Sequence, residues 1–548
     1  MDSFGVIIFI MVILIGLSAV ADKIKLPYPI LLVGVGLVIG FTPHLPILEL
    51  NPEIIFLIFL PPLLYDAAFK TSWHDFKTAI RPISTLAISL VFFTTFSVAA
   101  AAHFLMPGFS WPLAFVLGAI VSPPDAVAAT GITKGLGLHK RVITILEGES
   151  LLNDASALIA YRYAVAAVTT GVFVFWKAGL EFLMVAGGGI VAGIIIGYIF
   201  IQIHKKITHN AVVETSLTLL APYIAYLSAE KIHVSGVLSV VCAGLMLTWR
   251  APEIFSYQTR IRTNIVWDTI IFLLNGVIFI VIGLQLPVIM NEIKGHSILN
   301  LLGYGLLISL VTIIVRIVWV IFGVYTQRVL FKNKSPISAN DKENNDTEEI
   351  DWKNVLIVAW TGTRGVVSLA TALALPLTLR NGTIFPQRPN ILFLAFVVIF
   401  VTLVVQGLTL PLLIKILGVQ KKKTFHIEDK ELELTLAHQV VNFVEKDFPV
   451  ALEPKLQEQV IKKYNLSIQK LHKEITQIER KKRPVKSEIT TSVLQLLLVQ
   501  LEIVKFQREL LLKFHKEGTF SDDSIRHSER ELDIEELRLN GLISKNEL

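Results

Sequence analysis

A chain of 548 residues in which 53% are apolar and only 17% charged is too apolar for a typical soluble protein, where about a quarter of residues are charged. We therefore expect a multi-pass membrane protein. The net charge of +6 is weak support for a nucleic-acid partner, and none is expected, because the basic residues cluster beside apolar segments, where they indicate topology. The single cysteine, Cys242, excludes an internal disulfide and a cysteine-based metal site.

Apolar segments of nearly the length needed to cross a bilayer occur thirteen times along the chain. About 20 helical residues span roughly 30 Å of hydrocarbon. The segments are approximately 4–21, 27–42, 52–67, 84–106, 112–131, 142–173, 178–204, 211–228, 232–249, 266–287, 299–326, 354–377 and 390–418. A secretory signal would require a basic residue before its apolar segment. No Lys or Arg precedes the first segment, so we expect it to be retained as a span.

Basic residues are unevenly distributed between the loops. Loops after odd-numbered spans hold 18 Lys and Arg, whereas loops after even-numbered spans hold 5. Positive charge stays on the cytoplasmic side, which predicts an N-terminus outside the cell and a cytoplasmic C-terminal tail. One miscounted span would scramble this alternation, so the pattern supports thirteen spans.

Two of the predicted spans are interrupted. Span five contains "SPPDAVAAT" (122–130), and span twelve contains "WTGTRGVVSLA" (360–370), with a glycine on either side of Arg364. A proline removes a helical hydrogen bond and clashes with the preceding turn, and lipid tolerates such a break only where protein or water satisfies the freed groups. Each break lies in the fifth span of a set of six, a pairing that indicates an inverted-repeat transporter. Two unrelated kinks are the alternative.

Span six contains "EGESLLNDASALIAYRYA" (147–164). Four of its polar residues fall within an arc of about 140° on one helix: Glu149, Ser150, Asn153 and Asp154. An intramembrane carboxylate is costly and is a functional candidate by default. Asp154 and Asp125 could converge on a wet cavity whose oxygen ligands suit a hard cation, whether Na⁺, Mg²⁺ or Ca²⁺. Because burial disfavours a charged carboxylate, it can take up a proton once the cation leaves, which is a minimal exchange mechanism.

The last quarter of the chain is rich in charge. Residues 421–548 hold 23 of the 50 Lys and Arg and 22 of the 44 Asp and Glu. We therefore predict a transmembrane domain over 1–420 and a helical cytoplasmic domain over 421–548, with leucines at helical spacing in 492–514. The second domain opens with Lys421, Lys422 and Lys423. A basic run at this position suits an anionic lipid surface or a plain stop-transfer signal.

Four segments together resemble the monovalent cation/proton antiporter family, in its electroneutral NhaP-like and NHE-like branch. They are "SPPDAVAAT", "EGESLLNDASALIAYRYAVAAV", "FLLNGVIFIVIGLQLP" and "WTGTRGVVSLATALALP", and the similarity covers roughly residues 5 to 418. The Asn-Asp pair in its GES-x-x-ND setting is the most specific part. The resemblance implies an all-α fold with thirteen spans in inverted repeats, crossed discontinuous helices five and twelve, and a homodimer with elevator-like alternating access.

The same resemblance implies function. The protein would be a plasma-membrane antiporter and no enzyme, contributing to pH and sodium homeostasis, with no cofactor. Its substrates would be H⁺ and a monovalent cation (Na⁺, K⁺ or Li⁺). Asp154 would bind the cation or the proton with Asn153 beside it, and Ser150, Asp125 and the backbone at Pro124 would complete the cation site. The electrogenic branch has a second Asp where Asn153 stands, so one-for-one exchange is implied.

Some details stay open at this level. Glu149 matches the family's acidic partner of the span-twelve arginine, here Arg364, and would form a structural charge pair with it. Arg162 and Arg316 would be counter-charges or snorkelling residues. Many relatives have Thr-Asp-Pro at the first break, whereas here the prolines precede Asp125, which leaves open whether a hydroxyl or only a carbonyl coordinates there.

Two rival functions belong to other classes. Asp125 and Asp154 are two carboxylates in predicted spans, as in an intramembrane aspartyl protease. Tyr65-Asp66 resembles one half of the sequence signature of such proteases, but the other half, Gly-x-Gly-Asp, is absent. A cation channel would need a continuous pore lining, usually with filter repeats, and none is visible in the sequence. Proton exchange driven by a cation gradient, without single-channel current, distinguishes an antiporter from both.

Overall fold

The computed structural model describes residues 3–24, 28–42, 52–125, 138, 140–171, 175–207, 210–293, 297–331, 352–379, 382–418, 425–446, 448, 454–480, 488–517 and 522–547. Over these residues the fold is all-helical, and the only β-type pairing there is an isolated antiparallel bridge between Thr378 and Ile384. Since lipid offers no hydrogen-bonding partners, a helix that satisfies its own backbone is the conformation these apolar segments must adopt. The chain forms two compact units, Met1–Lys421 and Lys422–Leu548.

The described part of the first unit is built almost entirely from helices. In chain order they are α1 (Ser3–Ile24), α2 (Tyr28–Gly40), α3 (Pro52–Lys70), α4 (Trp73–Thr78), α5 (Ile80–Ser84), a π-helical segment (Thr85–Leu90), α6 (Val91–Leu105), α7 (Trp111–Val121), α8 (Lys140–Thr170), α9 (Phe175–Lys206), α10 (Ala211–Lys231), α11 (Gly236–Ile254), α12 (Tyr257–Glu292), α13 (Ile298–Phe331), α14 (Trp352–Trp360), α15 (Val366–Leu373) and α16 (Arg388–Leu417).

Seven stretches within the described residues are long and apolar enough to cross a membrane: Ile80–Leu105, Gly179–Lys206, Ala211–Lys231, Gly236–Ile254, Gln258–Asn291, Ile298–Tyr325 and Arg388–Leu417. They coincide with predicted spans four, seven to eleven and thirteen, so the prediction of a multi-pass membrane protein is confirmed. Predicted spans one, two and five contain the shorter apolar helices Ile8–Ala19, Tyr28–Gly40 and Trp111–Val121. Predicted spans three, six and twelve coincide with α3, α8 and the pair α14 and α15.

Local sequence explains where several helices begin and how closely they pack. Asn210 and Ser235 cap α10 and α11, since their side-chain oxygens accept hydrogen bonds from Val212 N (3.1 Å) and Leu238 N (3.2 Å) respectively. Helices α9 and α11 approach so closely that a Cβ added at Gly193 would lie 2.8 Å from the Cβ of Cys242. Small residues permit such close contact between membrane helices.

The second unit consists of helical segments: α17 (Phe425–Lys446), α18 (Pro454–Arg480), α19 (Glu488–Glu517) and α20 (Asp522–Glu547). Helices α19 and α20 pack through a small core of Leu497, Val504, Leu539 and Ile543. Arg508 adds ion pairs across them, to Asp533 (2.5 Å) and Glu536 (2.6 Å). The leucine-spaced segment predicted over 492–514 lies in α19. The lysine run 421–423, which suits a lipid contact or a stop-transfer signal, lies outside the described residues.

Candidate cation-binding site

The two predicted helix breaks contact each other. Helix α7 ends at Val121 and the chain is non-helical as far as Asp125, while residues 361–365 separate α14 from α15. The backbone N–H of Asp125 donates to the carbonyl of Thr363 (2.6 Å), and the Thr363 hydroxyl donates to the carbonyl of Asp125 (3.1 Å). Each break therefore satisfies backbone groups that the other has freed, as an interruption inside a membrane requires. Residues 126–130 of the first motif lie outside the described residues.

Two charged side chains form hydrogen bonds with backbone groups at the ends of the interrupted helices. The Asp125 carboxylate accepts a hydrogen bond from Val366 N (3.3 Å), at the positive N-terminal end of α15. Position 365 accommodates only glycine, because a Cβ there would overlap this carboxylate. The Arg364 guanidinium donates from Nε to the carbonyl of Val121 (3.1 Å), at the negative C-terminal end of α7, and also to the carbonyl of Gly362.

Helix α8 supplies the residues that face the break in span five. The side-chain amide of Asn153 donates to the carbonyl of Pro124 (2.9 Å), which ties the middle of α8 to the non-helical segment. Asn153 is fully buried. Its Oδ1 atom has no hydrogen-bond partner in the described part of the chain. Asn153 therefore has a positioning contact in addition to its place next to Asp154.

A cavity lies where these elements meet. Four of the five residues predicted for the cation site line it: Pro124, Asp125, Ser150 and Asp154. Its water-accessible volume is about 40 Å³, and leucines of α3 and the start of α15 complete the wall. Since roughly 10–15 Å³ holds one water molecule, a small cation with part of its hydration shell fits. Asn153 lines a smaller neighbouring cavity of about 10 Å³ together with Glu149 and Arg316.

The arrangement of oxygen atoms suits a hard cation. Two carboxylates, a hydroxyl and backbone carbonyls are the ligand types that such ions prefer. Asp154 is buried. Its negative charge therefore needs a partner, which either a cation or a proton can supply. The site brings together the chemistry that exchange of one ion for the other requires.

The partner of Glu149 differs from the sequence expectation. Arg316 of α13, not Arg364, donates two hydrogen bonds to the Glu149 carboxylate, at 2.5 and 2.8 Å. Arg316 also donates to the carbonyl of Val358 at the end of α14. The predicted Glu149–Arg364 pair is thus wrong, because the guanidinium of Arg364 is turned toward the free carbonyls of the crossing helices.

Other residues outside the prediction also shape the site. Thr363 joins the two breaks, and Thr402 of α16 accepts a hydrogen bond from the backbone N–H of Arg364 (3.1 Å). Arg316 could have been identified from the sequence, since a mid-span arginine needs a counter-charge. No sequence pattern points to Thr402. Arg162, by contrast, is exposed on α8 and pairs with Glu230 at 2.9 Å.

The family model for the transmembrane sodium/hydrogen exchanger matches residues 8–416. Two similar curated proteins are named sodium, potassium, lithium and rubidium/H⁺ antiporter. The one from Bacillus pumilus is 33% identical over 71% of this chain, and the one from Bacillus subtilis is 31% identical over 75%. The matches span only 58% and 62% of the length of those two relatives. The Na⁺/H⁺ antiporter NhaH of Halobacillus aidingensis is 31% identical over 76% of this chain and 98% of its own.

A solved structure resembles the fold. The sodium/proton antiporter MjNhaP1 of Methanocaldococcus jannaschii at pH 8 superposes with a TM-score of 0.59 at 21% identity, over 76% of this chain and 99% of its own. An electron-microscopy map of the same antiporter gives a TM-score of 0.57 at 23% identity. The family model confirms the sequence resemblance to cation/proton antiporters at the level of the family. The chain belongs to the sodium/hydrogen exchanger family.

Proposed function

We propose that the protein is a secondary antiporter that exchanges a monovalent cation for H⁺ across the membrane, with no enzymatic activity and no cofactor. The observation that carries the proposal is that Asp154 and Asp125 line one small cavity at the contact between two interrupted helices. The names of the Bacillus relatives suggest Na⁺, K⁺, Li⁺ and Rb⁺ as candidate substrates.

Asp154 is the group that couples the two ions in this proposal. In its charged form it binds the cation together with Asp125, Ser150 and the carbonyl of Pro124, which accepts one hydrogen bond from Asn153 and retains a second lone pair. When the cation leaves, a bare buried carboxylate is unfavourable, and a proton replaces the cation. Because Asp154 holds one ion or the other, loss of each is linked to uptake of its competitor.

The proposed stoichiometry is one cation for one proton. Asn153 is an amide and adds no second titrating charge beside Asp154. It contributes instead through its hydrogen bond to the break in span five. One carboxylate that alternates between the two monovalent ions carries the same charge in both directions, so the cycle as a whole is electroneutral.

The Glu149–Arg316 pair is the structural element that holds α8 against α13 beside the site. Its two hydrogen bonds are geometrically well matched, and both side chains are buried. Glu149 is therefore already neutralised by an arginine and is a poor competitor for the transported ion. Of the two carboxylates of α8 that line these cavities, Asp154 is therefore the one available for exchange.

The wider architecture is part of the same proposal. Thirteen spans form two inverted repeats, with the N-terminus outside the cell and the tail in the cytoplasm, where it regulates transport. The cavity is lined by residues of α3 and, as a second group, by residues of α8, of α15 and of the segment 123–125 that follows α7. Movement of the second group past α3 would expose the ion to either side, as in an elevator. The functional unit is a homodimer in the plasma membrane, contributing to pH and sodium homeostasis.

A fluorescence assay in everted membrane vesicles tests the function. A respiratory substrate acidifies the vesicles and quenches a pH-sensitive dye, and Na⁺, K⁺, Li⁺ or Rb⁺ is then added separately. Vesicles containing the protein should regain fluorescence with at least one cation, while vesicles without it should not. Current in a planar bilayer that scales with an imposed voltage, without cation-driven proton movement, would favour a channel and contradict the proposal.

A further inference from the structure

Ser368 is a buried hydroxyl without a protein partner. It is the third residue of α15 and only 1% exposed, yet its Oγ makes no hydrogen bond within the part of the chain that the structure describes. Leaving a buried hydroxyl unbonded is costly. Nearby threonines avoid this by donating to the carbonyl four residues earlier, as Thr361 does to Ile357 (2.7 Å) and Thr402 does to Val398 (2.8 Å).

Ser368 lies too close to the break in span twelve to donate to a helical carbonyl four residues earlier. The carbonyl four residues before it belongs to Arg364, in the non-helical segment 361–365, and accepts no hydrogen bond from this hydroxyl. The carbonyl three residues before it, that of Gly365, accepts from the backbone N–H of Leu369 (3.2 Å) instead. Thr371, one turn further along α15, does have such an acceptor and bonds the carbonyl of Val367. Between these two hydroxyls of α15, only the one in the first turn after the break lacks a partner within the described residues.

Ser368 lines the same cavity as Asp154, Asp125 and Ser150. At about 40 Å³ this cavity admits small molecules and ions. The N-terminal end of a helix is positive and would by itself repel a cation. The lone pairs of the Ser368 hydroxyl give this helix end a partially negative group facing the cavity.

We propose that Ser368 is a further ligand of the transported cation, an inference that rests on the proposed function of the Asp154 site. Its oxygen replaces one water of the ion's hydration shell when the cation enters. Because the ligand is neutral, it strengthens cation binding without altering the exchange ratio. An ion–dipole interaction weakens with distance, so its loss should affect the small ions Li⁺ and Na⁺ more than Rb⁺.

The test measures cation-driven proton transport in proteoliposomes of the purified full-length protein. Ser368→Ala and the similarly sized Ser368→Cys should raise the apparent KM for Na⁺ on the order of tenfold, with a smaller rise for Rb⁺ and little change in the maximal rate. Thr371→Val is the matched control, since it removes a buried hydroxyl of the same helix that does not line the cavity. Its KM should stay at the wild-type value.

Thermal stability separates a ligand from a structural residue. Removing an unbonded hydroxyl should leave the melting temperature of Ser368→Ala unchanged or higher. Wild-type KM values for both Ser368 variants would overturn the inference, and so would a reduced melting temperature with unchanged KM. Asp154→Asn is measured in parallel. Exchange by that variant would overturn the proposed function and this inference with it, whereas loss of exchange there with unchanged KM in the Ser368 variants would overturn the inference alone.

Discussion

Replacing Glu149 by glutamine should strongly destabilise the protein. The side chains of Arg316 and Glu149 are 1% and 2% exposed, and the two hydrogen bonds between them measure 2.5 and 2.8 Å. Without the carboxylate, Arg316 keeps its bonds to the carbonyl of Val358 but remains a buried, uncompensated cation. Breaking a buried pair in this way costs about 3–5 kcal/mol.

The assay is the fraction of detergent-solubilised protein that remains monodisperse after heating, followed by fluorescence-detected size exclusion. Glu149→Gln and Arg316→Gln should each lower the melting temperature markedly, and the double variant should recover part of the loss because neither charge remains. The Arg162–Glu230 pair is the control: its side chains are 44% and 26% exposed. Removing Arg162 from that pair should cost only about 0–1 kcal/mol.

A comparison of single and double variants, a double-mutant cycle, also distinguishes the two buried arginines, Arg316 and Arg364. Coupling of Glu149 to Arg316 should exceed its coupling to Arg364, which bonds backbone carbonyls. A Glu149→Gln protein that melts like the wild type would refute the reasoning. So would a Glu149→Gln/Arg316→Gln protein as unstable as the two single losses added together.

Three further outcomes are expected. Exchange should be insensitive to an imposed membrane potential, because Asn153 adds no titrating charge; marked acceleration by voltage would mean that another group carries charge through the cycle. A chain ending at Lys423 should still exchange cations for protons, with an altered pH profile or apparent affinity, since the tail supplies no residue of the proposed site. A correctly inserted truncation that is inactive at every pH would make the tail part of the transport step. Gly193→Ala should destabilise the protein by about 1–3 kcal/mol, whereas Gly187→Ala, on the same helix but with open space around it, should not; equal effects would rule out this packing argument.

Much of the site could be predicted because each signal was local. Hydropathy located the apolar segments, and helical periodicity placed Ser150 and Asp154 on one face of α8. The cost of a proline or a carboxylate in lipid then singled out the break at Pro124 and Asp125. These arguments need only the neighbours of a residue along the chain, which is why they identified four residues that line one cavity.

The partner of Glu149 could not be predicted in the same way. Periodicity shows which face of α8 carries this carboxylate, but not which neighbouring helix lies against that face. Two mid-membrane arginines were available, and the choice depended on how the two breaks cross. Once α7 ends at Val121, its free carbonyl accepts a hydrogen bond from Arg364, and Arg316 remains for Glu149. Ser368 was missed for a related reason, since its lack of a helical acceptor is evident only when α15 is known to begin at Val366.

The most direct test of the central claim is proton transport driven by a cation gradient in proteoliposomes, comparing the wild type with Asp154→Asn at equal, verified insertion. The wild type should move protons when Na⁺ or another accepted monovalent cation is added. Asp154→Asn should move none at any pH, because an amide cannot exchange a proton for a cation. Wild-type rates of cation-driven proton movement by a well-inserted Asp154→Asn protein would contradict the assignment of Asp154 as the residue that couples the two ions.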